Sequence, residues 1–378
     1  MSVADLSDLL RRFRELGGTR EPDLFEGALL ISALVEPSED LNAARESVAA
    51  LAARVAEAAD RNEAPLSALC RVLFAEEGFR GDAESYDLPT NSSVARVLAR
   101  RRGMPITLSI VAVEVGRLAG LRLTGVGLPG HFVVGGPDLP EGTFLDPFDG
   151  GALYETQALS RRLGAIFGSP VALGPDVLRP DPPRAILARV LSNLRRSYER
   201  RSRWEEALTA LEFAEALEPR NPALWRDRGL LLLKCGKTDE ALEALEPYAD
   251  AVEGEEAESM RTLIATVRSR AAGEESEEEP ARKIFTLEEA RALWPRVRDL
   301  TSEAVMRYGQ LSGDLESERE AVVREWMREV TAMGIEIKGL WLVDFDSGAG
   351  YYCWKYPEPG LNHFHGYEEG FGGRLQLT

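Results

Sequence analysis

The chain has 378 residues, 44% of them hydrophobic and 29% charged, enough for two or three domains with cores of their own. A formal net charge of −18 argues against nucleic-acid and anionic-membrane partners, both of which require a basic face. Three widely spaced cysteines make no disulfide framework, the opening MSVADLSDLLRRF carries acids where a signal peptide needs an apolar run, and no stretch approaches the roughly 18 apolar residues of a membrane span. The expectation is a cytoplasmic protein.

Up to about residue 102 the pattern is helical. Apolar residues recur at helical spacing over Asp5 to Leu16, Leu24 to Leu34, Leu41 to Asp60 and Pro65 to Glu77, and Gly78 stops the last of these. A turn-rich loop leads to a short helix from Ser92 or Ser93 that ends in Arg100, Arg101 and Arg102, cations where a helix C-terminus favours them. Pro105 then suits a first helical position, and Ile106 to Ala119 is apolar nearly all round, so this helix must be buried on most sides. Three β-like runs follow, at Leu123 to Leu128, Phe132 to Val134 and Thr143 to Leu145. His131 opens the second and Asp146 closes the third.

A helix start, then a histidine, then an aspartate is the chain order of a Cys-His-Asp site, in which the helix N-terminus favours the thiolate and the aspartate orients the imidazole. Here the order is kept and the cysteine is missing: Pro105, Ile106 and Thr107 fill the first turn. The segments NSSVARVLARRRGMPITLS, GVGLPGHFVV and FLDPFDGG, with ALLISALVEP further upstream, strongly resemble the SirB-type bacterial branch of the transglutaminase-like superfamily. That resemblance implies a papain-like α+β fold over residues 1–183. It implies activity less firmly, because members of the branch commonly lack the cysteine.

After a proline-rich connector, LGPDVLRPDPPR, the chain turns to a repeat: Ala207 and Ala241 hold equivalent places 34 residues apart, the tetratricopeptide period. Residues 184–272 are read as two such repeats with Glu255 to Ala271 as a capping helix, docked on the front region or binding another protein or peptide. Trp204, Trp225 and Arg228 are the candidate contact residues. An acidic linker follows over 273–284, GEESEEEP at its heart.

Residues 285–378 read as a separate module. Thr286 and Glu289 form a capping box ahead of a helix reaching about Leu311, Glu316 to Met333 forms a second, and the two pair through Leu293, Val297, Leu300, Val323, Trp326 and Val330. Strands are expected over Ile335 to Val343 and Tyr351 to Lys355. The blocks FTLEEARALWPRV, IKGLWLVDF, YYCWKYPEP and FHGYEEGFGGR resemble a bacterial domain family of unknown function. The whole is thus α+β, mostly α: a transglutaminase-like domain, helical repeats, and a helical hairpin with a small β module.

Two function classes stand. One is a non-catalytic scaffold working by protein contact. The other is an acyl transferase or amide hydrolase in which Thr107 or Ser109 serves beside His131 and Asp146; against it, either hydroxyl is equally explained as capping of a buried helix. Cys70 lies on an apolar helix face and reads as inert. In the tail, Asp344, Cys353, Glu358, His363, His365 and Arg374 are expected to share one face. His363 and His365 at i and i+2 of a strand point the same way, so with Cys353 they offer soft ligands that favour zinc over magnesium or calcium. The alternatives are an aromatic-rich turn with satisfied histidines, or a pocket for a small anion anchored by Arg374. No other cofactor is expected.

Overall fold

The computed structural model describes residues 3–59, 62–167, 171–271, 283–310, 316–366 and 374–377. They fall into two units, Met1–Arg268 and Ser269–Thr378. Most of the expected acidic linker, 273–282 of 273–284, lies outside the described residues.

The first unit begins with helices α1 (Val3–Gly17), α2 (Leu24–Val35), α3 (Leu41–Ala59) and α4 (Pro65–Cys70). The last of these widens into a π turn over Arg71–Glu76. Gly78, at φ +71°, then lets the chain reverse into β1 (Arg80–Gly81). Helix α5 (Val94–Arg100) is capped by Ser93, whose hydroxyl accepts the Arg96 N–H, and leads into β2 (Arg102–Gly103), which pairs in parallel with β1. Arg100 is paired with Asp82 at 2.7 Å and Arg101 with Glu77 at 2.8 Å, so two of the three consecutive arginines are held by carboxylates.

Helix α6 (Pro105–Leu118) has Pro105 in its first turn and buries Ile106 to Ala112 without a break. Against it lies an antiparallel sheet in simple sequence order: β3 (Thr124–Leu128), β4 (His131–Gly135), β5 (Thr143–Asp146) and β6 (Ala152–Glu155). β6 stands between Asp146 and the next helix, α7 (Thr156–Phe167), and is a strand that the three β-like runs of the sequence did not include. β6 is the edge of the sheet, and its alternating exposure leaves little apolar signal of its own.

The repeats follow as α8 (Pro183–Glu199) with α9 (Trp204–Leu217), α10 (Pro222–Lys234) with α11 (Thr238–Ala251), and α12 (Gly254–Ala271). They share the core of the front helices rather than trailing from it. Leu187, Val190, Leu191 and Leu194 of α8 and Phe213 of α9 are at most 1% exposed and belong to the same apolar cluster as Phe13, Leu29 and Ile106. A Cβ on Gly27 would come within 2.5 Å of Leu187 Cδ1, so α2 and α8 meet at a place only glycine allows. Arg184 closes the seam by donating to Gly17 O and Leu217 O, both at 2.6 Å, which satisfies the carbonyl ends of α1 and α9 together.

The second unit pairs α13 (Leu287–Gln310) with α14 (Glu316–Thr331). The capping box forms: Glu289 N–H donates to Thr286 Oγ1 at 3.2 Å, and Thr286 N–H to Glu289 Oε2 at 2.8 Å. On α14 the buried row is Val322, Trp326 and Val330, so Val322 takes the core position expected of Val323. The stretch expected as one strand, Ile335 to Val343, is a hairpin: β7 (Glu336–Gly339) turns back at Trp341, φ +60°, into β8 (Leu342–Asp346). With β9 (Tyr351–Lys355), β10 (His363–His365) and β11 (Leu375–Gln376) they form an antiparallel sheet in the order β11-β10-β9-β8-β7. Val343, Phe345 and Trp354 face the helices, and the alternate residues face away.

Candidate functional site

Two antiparallel pairings bring His131 and Asp146 together. β3 and β4 form a hairpin in which Leu128 faces His131 across the Pro129–Gly130 turn, and β4 meets β5 through Val134 and Leu145. His131 Nε2 lies 2.9 Å from Asp146 Oδ2, with the histidine 6% and the aspartate 0% exposed. A nitrogen bonded to a carboxylate carries the hydrogen, which assigns the Nε2–H to the contact with Asp146. The other oxygen of Asp146 accepts the N–H groups of Phe148 (3.0 Å) and Asp149 (3.3 Å), and Arg162 Nε stands 3.7 Å from Oδ2. The Phe148 ring meets the imidazole edge-on at 6.0 Å.

His131 lines a cleft of about 960 Å³ together with Met104, Pro105 and Ile106 at the start of α6 and Arg189 and Arg196 of α8. Among the described residues no nucleophile is hydrogen-bonded to the imidazole, whose hydrogen-bond partner is Asp146. Thr107 is fully buried, and its hydroxyl is within reach of two backbone carbonyls, Asn91 O at 2.8 Å and Met104 O at 3.1 Å. Ser109 Oγ is buried without a hydrogen-bond partner among the described residues, and so without a base there. The residue before the helix is Met104, whose thioether sits 3.8 Å from Ser92 Oγ and 3.7 Å from Asn193 Nδ2; a thioether has no proton to lose. Cys70 is in α4, and burial pushes its thiol up, away from the reactive thiolate.

One residue the sequence reading passed over organises this cleft. Arg189 donates to Leu128 O at 2.6 Å and His131 O at 2.8 Å, so the first repeat helix holds the hairpin that carries the histidine. Burial holds its guanidinium below its ordinary pKa. An arginine on the polar side of an amphipathic helix looks like any surface cation, and its carbonyl partners are some 60 residues away; nothing local marks it.

In the repeats, Trp225 and Arg228 share two adjoining clefts of about 620 and 400 Å³. Arg228 pairs with Glu215 at 2.8 Å and approaches Glu212 at 3.7 Å, while the exposed Glu240 and Glu243 on the far rim make no ion pair among the described residues. Burial raises the Glu215 carboxyl despite the pull of Arg228. Trp204 stands apart from these clefts, packed on the core with Lys234 Nζ 5.9 Å from its ring centre.

In the tail the strand register lines up Asp344, Cys353 and His363 across β8, β9 and β10, with His365 diagonal to Cys353 on the same face. Ligand atoms of Asp344, Cys353 and His365 all lie within 4.8 Å of one another, and all three residues are buried. His363 is outside this group: its Nδ1 is 3.8 Å from Glu358 Oε2, and Glu358 Oε1 accepts from Arg374 at 2.7 Å. The six expected residues therefore form a buried trio and a half-buried ion-pair cluster, joined where the Arg374 side chain hydrogen-bonds Cys353. Burial raises the Asp344 carboxyl, and burial with Asp344 alongside pushes the Cys353 thiol up to about 11.

Three stretches of the chain match known families. Residues 42–192 match the transglutaminase-like superfamily, 194–266 the tetratricopeptide repeat, and 309–377 the uncharacterized conserved protein family DUF2203. A UPF0162 protein of Xylella fastidiosa (strain Temecula1) is 37% identical over 187 residues, 48% of this chain and 66% of its own length. A UPF0162 protein of Vibrio cholerae is 30% identical over 215 residues, 55% of this chain and 78% of its own length. The chain belongs to the UPF0162 family. A Pseudomonas aeruginosa member, UPF0162 protein PA3419, is 32% identical over 198 residues, 51% of this chain and 70% of its own length. Each of these matches spans about half of this UPF0162 chain. No helix among its described residues is long and apolar enough to cross a membrane.

Proposed function

We propose that this UPF0162 chain is a non-catalytic scaffold of the SirB-type branch, working in the cytoplasm by holding a partner peptide in its repeat groove. The observation that carries the reading is Trp225, a half-buried indole shared by two adjoining clefts and ringed by Glu212, Glu215, Glu240 and Glu243. An indole in a groove supplies large apolar contact at low entropic cost, and Glu240 and Glu243, which make no ion pair among the described residues, select a basic segment. The hydroxyl of Thr107, turned to backbone carbonyls, and the missing cysteine support the non-catalytic half. Three free thiols suit a reducing compartment.

Affinity capture with the full chain, followed by binding measurements on the partner recovered, tests the reading. Trp225→Ala is expected to weaken that partner by about 30-fold or more, as loss of a hot-spot indole of about 2 kcal/mol or more does. Glu240→Lys with Glu243→Lys should weaken it further and flatten its salt dependence. A partner held equally well by Trp225→Ala sinks the groove. Amide hydrolysis or acyl transfer that disappears in His131→Ala sinks the non-catalytic half.

A further inference from the structure

We infer that Asp344, Cys353 and His365 form a zinc site in the C-terminal unit, with His363 outside it. The argument starts from the imidazole of His365. Its Nδ1 lies 2.9 Å from the carbonyl oxygen of Gly366, which only accepts, so Nδ1 carries the hydrogen. This is how a protein presents the opposite nitrogen to a metal: a backbone carbonyl fixes the tautomer and leaves the Nε2 lone pair bare. That Nε2 faces Asp344 Oδ2 at 3.4 Å.

The separation discriminates between two accounts of the pair. A direct charge-assisted hydrogen bond closes to about 2.7–2.9 Å. Two ligands of one tetrahedral zinc, with bonds of about 2.0–2.2 Å, stand roughly 3.3–3.6 Å apart instead. The observed spacing is the second. Asp344 is 2% exposed, and its buried Oδ1 accepts no hydrogen bond among the described residues, an expensive state for a carboxylate oxygen. A thiolate and a carboxylate with a neutral imidazole carry two negative charges, which a divalent cation neutralises where water does not reach.

The donor set names the metal. Sulfur and imidazole nitrogen are poor ligands for magnesium and calcium and good ones for zinc. The backbone builds the trio without strain: a cross-strand pair supplies Asp344 and Cys353, and the diagonal neighbour on the third strand supplies His365. His363 is directly opposite Cys353, yet leans to Glu358. Three protein ligands leave the fourth position of a tetrahedral ion for water or a further ligand.

The test uses the full chain stripped with a chelator and titrated with zinc against a chromogenic competitor. One equivalent is expected to bind with a dissociation constant below about 1 μM, and cobalt in its place should give a thiolate charge-transfer band in the near ultraviolet. Cys353→Ser and His365→Gln should each weaken binding by about 100-fold or more, while His363→Gln leaves it within about threefold. If Cys353→Ser does not fold, the wild-type cobalt spectrum and zinc protection of the Cys353 thiol from alkylation decide the matter. Absence of a tight equivalent, absence of the thiolate band, or tight zinc retained in His365→Gln overturns the site.

Discussion

Asp146→Ala is expected to lower the melting temperature of the first unit by roughly 6–12 °C, from a loss of about 3 kcal/mol. The carboxylate is fully buried and satisfies three donors, His131 Nε2 and the N–H groups of Phe148 and Asp149. Its removal strands an imidazole N–H inside the fold and uncaps the turn after β5. Leaving buried donors unmade costs more than the bonds were worth in water. Asp146→Asn keeps an oxygen for the turn but offers an N–H or a neutral oxygen to the histidine, so it should fall between wild type and alanine. Calorimetry on the full chain measures both. An unchanged melting curve, together with an enzymatic turnover lost in Asp146→Ala, would make the pair catalytic instead of structural.

The same residues show how far the sequence could be read. His131 and Asp146 were visible because a turn, PGH, and a strand end, FLDPF, place them by short-range pattern. The fate of Thr107 was not. Its acceptor Asn91 O comes from a turn 16 residues earlier, and only the folded chain says that this carbonyl covers the start of α6. Helix α6 was legible because a helix apolar on every side has one explanation. β6 was not, because an edge strand with alternate residues exposed leaves too little pattern. Apolar content made Ile335 to Val343 look continuous, and the reversal at Trp341 uses a backbone region where a bulky residue is unexpected. In the tail, period-two alternation put His363 and His365 on one face correctly. Which of them meets Asp344 depends on the tilt of a diagonal cross-strand pair, which sequence spacing does not record.

Phe213→Ala is expected to cost about 3–5 kcal/mol, and to loosen helices far from it in sequence. The side chain is fully buried on α9, and its ring lies 5.1 Å from that of Phe13 on α1. Truncation leaves a cavity bordered by the N-terminal helices and by the repeats at once, because both belong to one apolar cluster. A solenoid unit that merely touched its neighbour would lose stability locally, as repeat arrays do. A shared core predicts the opposite. Hydrogen exchange on the full chain should quicken in α1 and α2 together with α8 and α9, by similar factors. Phe13→Ala in the same background isolates the ring pair, whose coupling should be about 0.5–1.5 kcal/mol. Faster exchange confined to α8 through α11, with α1 and α2 unchanged, would separate the repeats from the front region. The cleft beside His131, closed on one side by Arg189 of α8, would then lose its fixed wall.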